Sequence, residues 1–156
     1  MSFGAPSLKG RALRYLAQRE HSRVELQRKL ARFVEPRLDV SAAEQINTVL
    51  DELEQKGFLN EQRAAESIVN SKGARLGGRR LKQIMAARGI TPDLAGPLLA
   101  QARSTEFERA RELWRRKFGE PAVDAAARAK QVRFLLGRGF EGDVIRRVVR
   151  GSADDD

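Results

Sequence analysis

The sequence predicts an all-α fold, an elongated array of three tandem three-helix repeats. Three observations predict it. Apolar residues recur at three- and four-residue intervals along nearly the whole chain, and no stretch alternates with a period of two. The periodic stretches are short and are punctuated by glycine, proline and capping residues. Residues 79–90, RRLKQIMAARGI, echo residues 129–140, AKQVRFLLGRGF: each reads as a helix closed by Arg-Gly-apolar, with a short helix after it. Arg88-Gly89-Ile90 thus matches Arg138-Gly139-Phe140 at an offset of 50. Residues 23–33 hold the equivalent place in the first third, without the glycine. A period near 50 residues suits an array in which each unit packs mainly on its neighbours and presents an extended surface.

Residues 1–7 contain Gly4 and Pro6, lack periodicity and read as a flexible tail. The first helix spans about Leu8 to Arg19, with Leu13, Leu16 and Ala17 on one face. Ser22-Arg23-Val24-Glu25 has the form of a capping box, so a second helix starts at Arg23 and runs to Phe33. The chain must then turn near Glu20 and His21. Pro36 breaks the pattern. Ser41 can cap a third helix carrying Ile46, Val49, Leu50 and Leu53; Gly57 ends it in the left-handed position, with Phe58 packing back on its last turn. Asn60 can cap a fourth helix bearing Ala64, Ala65, Ile68 and Val69, which Gly73, Gly77 and Gly78 interrupt.

A fifth helix runs through Leu81, Ile84 and Met85 to Arg88-Gly89. Thr91-Pro92 starts a sixth, with Leu94, Leu98 and Leu99 as its buried side; Pro97 inside it is expected to kink it or delay its start. Ser104 opens a seventh, with Phe107, Ala110, Leu113 and Trp114, closed by Gly119-Glu120-Pro121. An eighth extends from about Val123 to Leu136, with Ala129, Val132, Phe134, Leu135 and Leu136. The ninth carries Val144, Ile145, Val148 and Val149. The expected organisation is therefore a tail over 1–7, repeats over 8–58, 59–103 and 104–150, and an acidic disordered tail over 151–156.

The net charge is +9, and Asp154, Asp155 and Asp156 at the end subtract from a body of +12. Such a body favours polyanions, nucleic acid above all. There is no cysteine, which suits a reducing cytosol, and no run of apolar residues long enough for a membrane span or a signal peptide. We expect a cytoplasmic protein that does not engage membranes. One histidine, His21, at a helix corner, reads as a turn residue rather than a ligand or base, so no metal or cofactor is expected. Gly73, Gly77 and Gly78 do not make a phosphate loop, since no strand precedes them and no Gly-Lys-Ser/Thr follows. Asp51, Glu52 and Glu54 read as solvated charge. No enzymatic activity is expected.

The chemistry that is present is basic clustering. Between Ser71 and Pro92 stand Lys72, Arg75, Arg79, Arg80, Lys82 and Arg88, with no acidic residue. Arg115, Arg116 and Lys117 end the seventh helix. Arg128, Lys130, Arg133 and Arg138 line the eighth, and Arg146, Arg147 and Arg150 the ninth. Lys and Arg bind phosphate, Arg in a two-pronged geometry. Arg88, Arg115, Arg116, Lys117 and Arg138 equally suit the negative end of a helix dipole; Arg75, Arg79 and Arg80 lie near a helix start, where positive charge is locally unfavourable, and point to a partner. Tyr15, Phe33, Phe107, Trp114 and Phe134 fall on apolar faces and are not interleaved with these bases, so no stacking platform for single strands is expected. Binding should be carried by the backbone phosphates, weak, salt-sensitive and poor in sequence preference.

Several segments resemble, in order and spacing, the RecX family of recombinase regulators, over about residues 9–150. They are Arg19-Glu20-His21-Ser22 with Glu25-Leu26 and Lys29-Leu30; Gly57-Phe58-Leu59-Asn60; Arg75 with Gly77; Arg80-Leu81; and Gly89-Ile90. Farther on come Lys117-Phe118-Gly119-Glu120-Pro121, and Lys130-Gln131-Val132-Arg133-Phe134-Leu135 through Arg138-Gly139-Phe140. The resemblance implies three repeats of three helices and a bacterial protein that binds RecA and the RecA filament on single-stranded DNA. It further implies suppression of ATP hydrolysis, strand exchange and co-protease activity, which limits recombination and the SOS response. Asn60, Glu61 and Ala64 stand where the family usually has Leu-Asp-Asp and an aromatic before the alanine, and Pro97 where an uninterrupted helix is expected. The family motifs are mostly structural, so the RecA- and DNA-binding candidates (Lys72, Arg75, Arg79, Arg80, Lys82, Arg88, Arg115, Arg116, Lys117, Arg128, Lys130 and Arg133) rest on charge and position alone. A monomer is expected. The alternative is a stand-alone helical DNA-binding protein, against which no single helix gathers Asn, Gln and Arg for reading base edges.

Overall fold

Most helices in this chain begin where a side chain accepts an orphan backbone N–H; those starting after Thr91 and Thr105 do not. A computed structural model describes residues 4–151; the expectations for residues 1–3 and for the acidic stretch 152–156 fall outside the described residues. Its elements are α1 (Leu8–Gln18), α2 (Arg23–Leu30), a single 3₁₀ turn (Ala31–Phe33), α3 (Ala42–Gln55), α4 (Glu61–Lys72), α5 (Gly78–Ala87), α6 (Pro92–Ser104), α7 (Glu106–Lys117), α8 (Ala125–Gly137) and α9 (Gly142–Gly151). No strand occurs among the described residues.

Ser22 and Ser41 both form complete capping boxes, with Glu25 and Glu44 reaching back to the cap N–H. The Asn60 side chain accepts the Arg63 N–H at 2.9 Å. Ser7 caps α1 and Asp124 caps α8, two caps the periodicity alone does not single out. At the other end of α3 the Phe58 N–H reaches the Leu53 carbonyl and the Gly57 N–H the Glu54 carbonyl, with Gly57 at φ +79°, a Schellman ending.

Apolar faces gather into three clusters in chain order. Ala12, Leu26, Leu30, Leu50, Leu53 and Leu59 centre the first. Ala64, Ala65, Ile68, Leu81, Met85 and Ile90 centre the second. Trp114, Leu135, Phe140 and the α9 valines centre the third. Each cluster draws on three successive helices, so the fold is an all-α array of three-helix repeats.

Several side chains differ from expectation. Leu59, not Phe58, returns to the core; Phe58 stays 51 % exposed. In α6 the innermost residues are Ala95 and Ala102, with Leu94, Leu98 and Leu99 only half-buried. Pro97 does not delay α6, which starts at Pro92; its ring sits on the exposed side, so the N–H that proline lacks is missing only where water can serve the freed carbonyl. Ser104 closes α6 instead of opening α7, donating to the Gln101 carbonyl at 2.6 Å, and Thr105 alone separates the two helices. On α8 the buried positions are Gln131 and Leu135, whereas Ala129 and Leu136 face water. Gln131 is buried because its Oε1 accepts the Trp114 indole N–H at 2.9 Å and its amide donates to the Glu120 carbonyl at 3.1 Å.

The repeats meet through a joint that occurs twice. At the first joint, Glu61 on the first turn of α4 accepts the Arg23 N–H at the start of α2 (2.5 Å), the Ser22 hydroxyl donates to the Arg88 carbonyl, and Arg28 donates to the Ala87 carbonyl at 2.8 Å. At the second, Glu106 on the first turn of α7 accepts the Gly78 N–H at the start of α5 (2.7 Å). The Gly77 and Arg79 N–H groups donate to the Arg138 and Gly139 carbonyls at 2.8 and 3.1 Å. In both, a glutamate of the following repeat caps the middle helix of the preceding one, and the Arg-Gly-apolar turn packs against that helix start. Gly89 (φ +75°) lies against Val24, and Gly139 (φ +84°) against Arg80; a β-carbon at either would overlap them. The sequence echo at an offset of 50 is thus the repetition of a docking surface. Arg109 clamps the second joint further, donating to the carbonyls of Gly73, Leu76 and Ala102 and to Thr105 Oγ1. Burial pushes its guanidinium pKa down, against the charges of Glu106 and Glu108.

Candidate nucleic-acid and partner interface

The three repeats divide their charge unequally. Residues 8–58 hold ten basic and eight acidic side chains, residues 59–103 eight and three, and residues 104–150 twelve and seven. Pairing sharpens the contrast. In the first third Arg23 bridges Asp51 (2.8 Å) and Glu54 (3.1 Å), and Glu52 holds both Lys9 (2.7 Å) and Lys56 (2.8 Å). Arg19 pairs with Glu25 at 2.5 Å, and Arg63 of α4 reaches back to Glu20 at 3.0 Å. Asp51, Glu52 and Glu54 are therefore ion-paired, not merely solvated. The Lys56 and Lys9 ammonium groups hold the Glu52 carboxyl down to about 2. Burial opposes the charge of Arg23, yet Glu54 and Asp51 hold its pKa above the usual value.

The predicted basic residues fall into several groups. Arg79 and Lys82 of α5 stand on one rim of a groove between α5 and α6, and Arg103, which charge clustering along the sequence does not single out, completes it. Lys72 and Arg75 lie at the end of α4 and in the loop after it. Arg80 leans on the α8–α9 turn and donates to Gln83 Oε1 at 3.2 Å. Arg88 is half-buried at the first joint, where burial and then the Arg19 charge lower its pKa; it serves the joint more than an open surface. Arg115 and Arg116 share Glu112 at 3.7 and 3.1 Å. Arg128, Lys130 and Arg133 are exposed on α8. Among the described residues, Lys72, Arg75, Arg79, Lys82, Arg103, Arg128, Lys130 and Arg133 have no ion pair or side-chain hydrogen bond, and all but half-buried Lys72 are exposed.

Aromatic rings and bases are closer than the sequence suggests. Lys117 and Arg138 both lie 5.4 Å from the centroid of Phe134, and Arg147 covers Phe107 at 4.3 Å. Phe134 and Phe107 also pack against the third core, and Phe134 meets Phe118 edge-on at 5.5 Å. Residues brought together by α7, α8 and α9 produce this pairing, which sequence separation hides. No group of three or more His, Asp and Glu side chains placed to hold a metal occurs among the described residues. No helix there is long and apolar enough to cross a membrane.

A surface with its larger excess of unpaired cations on the second and third repeats, and with most first-repeat cations engaged apart from exposed Arg14 and Arg37, can hold phosphate chiefly through the later repeats. The sequence family described as RecX, third three-helix domain, matches residues 104–149. Over 144 residues the chain is 50 % identical to the regulatory protein RecX of Leptothrix cholodnii, covering 92 % of this chain and 88 % of the relative. It is 45 % identical to that of Herminiimonas arsenicoxydans over 150 residues, covering 96 % and 95 %. The fold is similar to a crystal structure of RecX from Lactobacillus salivarius, with a TM-score of 0.70 at 21 % identity over 92 % of this chain and 93 % of that one.

Proposed function

Since the chain belongs to the RecX family of regulatory proteins, we propose that it acts on the RecA recombinase. In this reading it binds RecA and the RecA filament on single-stranded DNA, inhibits ATP hydrolysis, strand exchange and co-protease activity, and so limits recombination and the SOS response. It works in the cytoplasm as a monomer and carries out no chemistry of its own. The repeats over 8–58, 59–103 and 104–150 are its working units. The observation that supports the reading is the set of exposed cations without ion pairs on the second and third repeats, set against a first repeat in which most cations are engaged. A body that is basic on two of three units fits a filament exposing both protein and phosphate. Its contact with bare DNA is then weak and steeply salt-dependent.

The test is the DNA-dependent ATPase of RecA, followed as the protein is titrated in. Inhibition well below one molecule per RecA indicates blocked filament growth; inhibition only near equal amounts indicates coating of the groove. No inhibition at low salt removes the reading and leaves binding to DNA alone. Charge reversal at Arg75, Arg79 and Arg80 is expected to weaken inhibition about tenfold or more while circular dichroism stays helical. Unchanged inhibition excludes that patch.

A further inference from the structure

We infer that the groove between α5 and α6 docks an acidic amphipathic helix of the partner protein, leaving the α8 cations to nucleic acid. This deepens the regulator reading and rests on it. The groove encloses about 760 Å³. One stripe of α6 lines it from Pro92 to Arg103, about 16 Å at the helical rise per residue, or three turns. Its base is apolar: Met85 and Ile90 close it from below, and half-buried Leu99 stands in its wall. Exposed Gly96 and Ala100 keep that wall low.

A nucleic-acid strand has phosphates for the rim, but the lining holds no aromatic ring on which an unpaired base could stack. A helix with apolar side chains three and four residues apart gains from covering the apolar floor, at the full value of buried apolar surface. The rim fixes the sign of the partner. Arg79, Lys82 and Arg103 border the trough with no ion pair among the described residues. Of the two acidic groups at its end, Glu106 already accepts the Gly78 N–H and Glu141 is half-buried. The exposed α8 cations Arg128, Lys130 and Arg133 do not line this trough.

Gly96 permits a direct test, because nothing lies within 4 Å of the point where its side chain would grow. Gly96→Trp fills the trough without displacing the chain, and tryptophan is a better helix residue than glycine. Arg103→Glu, on the exposed rim, is a second variant that leaves the cores untouched. Binding of the full chain is measured by fluorescence anisotropy to a labelled single-stranded oligonucleotide, bare and coated with RecA, alongside Arg128→Glu/Lys130→Glu/Arg133→Glu. Both groove variants are expected to lose about tenfold or more in affinity for the coated strand while binding the bare strand within about twofold of the unaltered protein. The α8 variant is expected to lose mainly bare-strand affinity. Equal losses on both strands mean the groove holds nucleic acid and overturn the inference, as does full retention of coated-strand binding by both groove variants. An unaltered chain that prefers neither strand removes the regulator reading and the groove with it, whereas a filament preference that survives Gly96→Trp and Arg103→Glu removes the groove alone.

Discussion

His21 is 1 % exposed and both its ring nitrogens are engaged: Nδ1–H donates to the Arg19 carbonyl at 3.0 Å, and Nε2 accepts from the Lys29 ammonium at 2.8 Å. The Lys29 contact favours the neutral ring, whereas the bond to the Arg19 carbonyl favours the protonated one. Tyr15 packs 5.8 Å away, and Arg19, Lys29 and Glu25 are the charges that face it. Burial lowers the His21 pKa from 6.5, and the neighbouring cations Arg19 and Lys29 push the same way. Above pH 6.5 the ring is neutral in folded and unfolded chain alike, and the joint has its full stability. Below that the unfolded chain takes up the proton first, so stability declines until the lower folded pKa is passed. The melting temperature is therefore expected to fall between about pH 7.5 and 5.5. His21→Gln should have a lower but flatter profile, because no other histidine titrates there. An equal slope in that variant assigns the effect elsewhere. Glu25 adds a second decline farther down: burial alone would raise its carboxyl, but the Arg19 guanidinium and the Ser22 N–H hold it below 4.5. The sequence placed His21 at a corner correctly. Its burial was not legible, because Tyr15 and Lys29 close over it from the helices on either side.

At the scale of elements, caps and stops were the most legible features, because each is written within four or five consecutive residues. Ser22, Ser41, Asn60 and the glycines after α3, α5, α7 and α8 all stand where the pattern placed them. The boundary at Ser104 and Thr105 was not legible: the two helices abut with one residue between them, and the stop comes from Arg109 and Glu106 gripping the second repeat. Nor could the pattern tell which glycines only relieve the backbone and which also clear space for a neighbour. Gly57, Gly89 and Gly139 all have positive φ, but a β-carbon at Gly57 meets nothing within 4 Å, while one at Gly89 comes within 2.5 Å of the Val24 side chain. Gly57→Ala should cost about 1–2 kcal/mol, the left-handed penalty alone. Gly89→Ala and Gly139→Ala should cost about 1–3 kcal/mol more through overpacking. Urea denaturation measures both; equal losses at the three positions would show that the joints yield without strain.

At the scale of the molecule, three cores are linked by two joints, and Trp114, the single tryptophan, sits in the third core. Tryptophan fluorescence therefore reports one repeat, while circular dichroism reports all of them. In the unaltered chain the two melting curves should coincide. Arg109→Ala leaves the Gly73 and Leu76 carbonyls without their Arg109 donor at the second joint, while Ala102 keeps Thr105, and should separate the curves by several degrees, since about 1–3 kcal/mol of coupling is lost for each buried acceptor left unsatisfied. Coincident curves in that variant would place the coupling in Glu106 and the Gly139 turn instead. The candidate interface was legible as charge and not as geometry. Sequence counted the bases, but only folding separates Arg88, half-buried at a joint, from Arg79 and Lys82, which meet Arg103 across a groove. The division of charge among the repeats has one more consequence. With an excess of two positive charges on the first unit, five on the second and, once Asp154, Asp155 and Asp156 are counted with it, two on the third, the molecule carries its excess charge at its middle. In the proposed encounter a polyanionic partner is drawn first to the second repeat, the unit on which the α5–α6 groove opens.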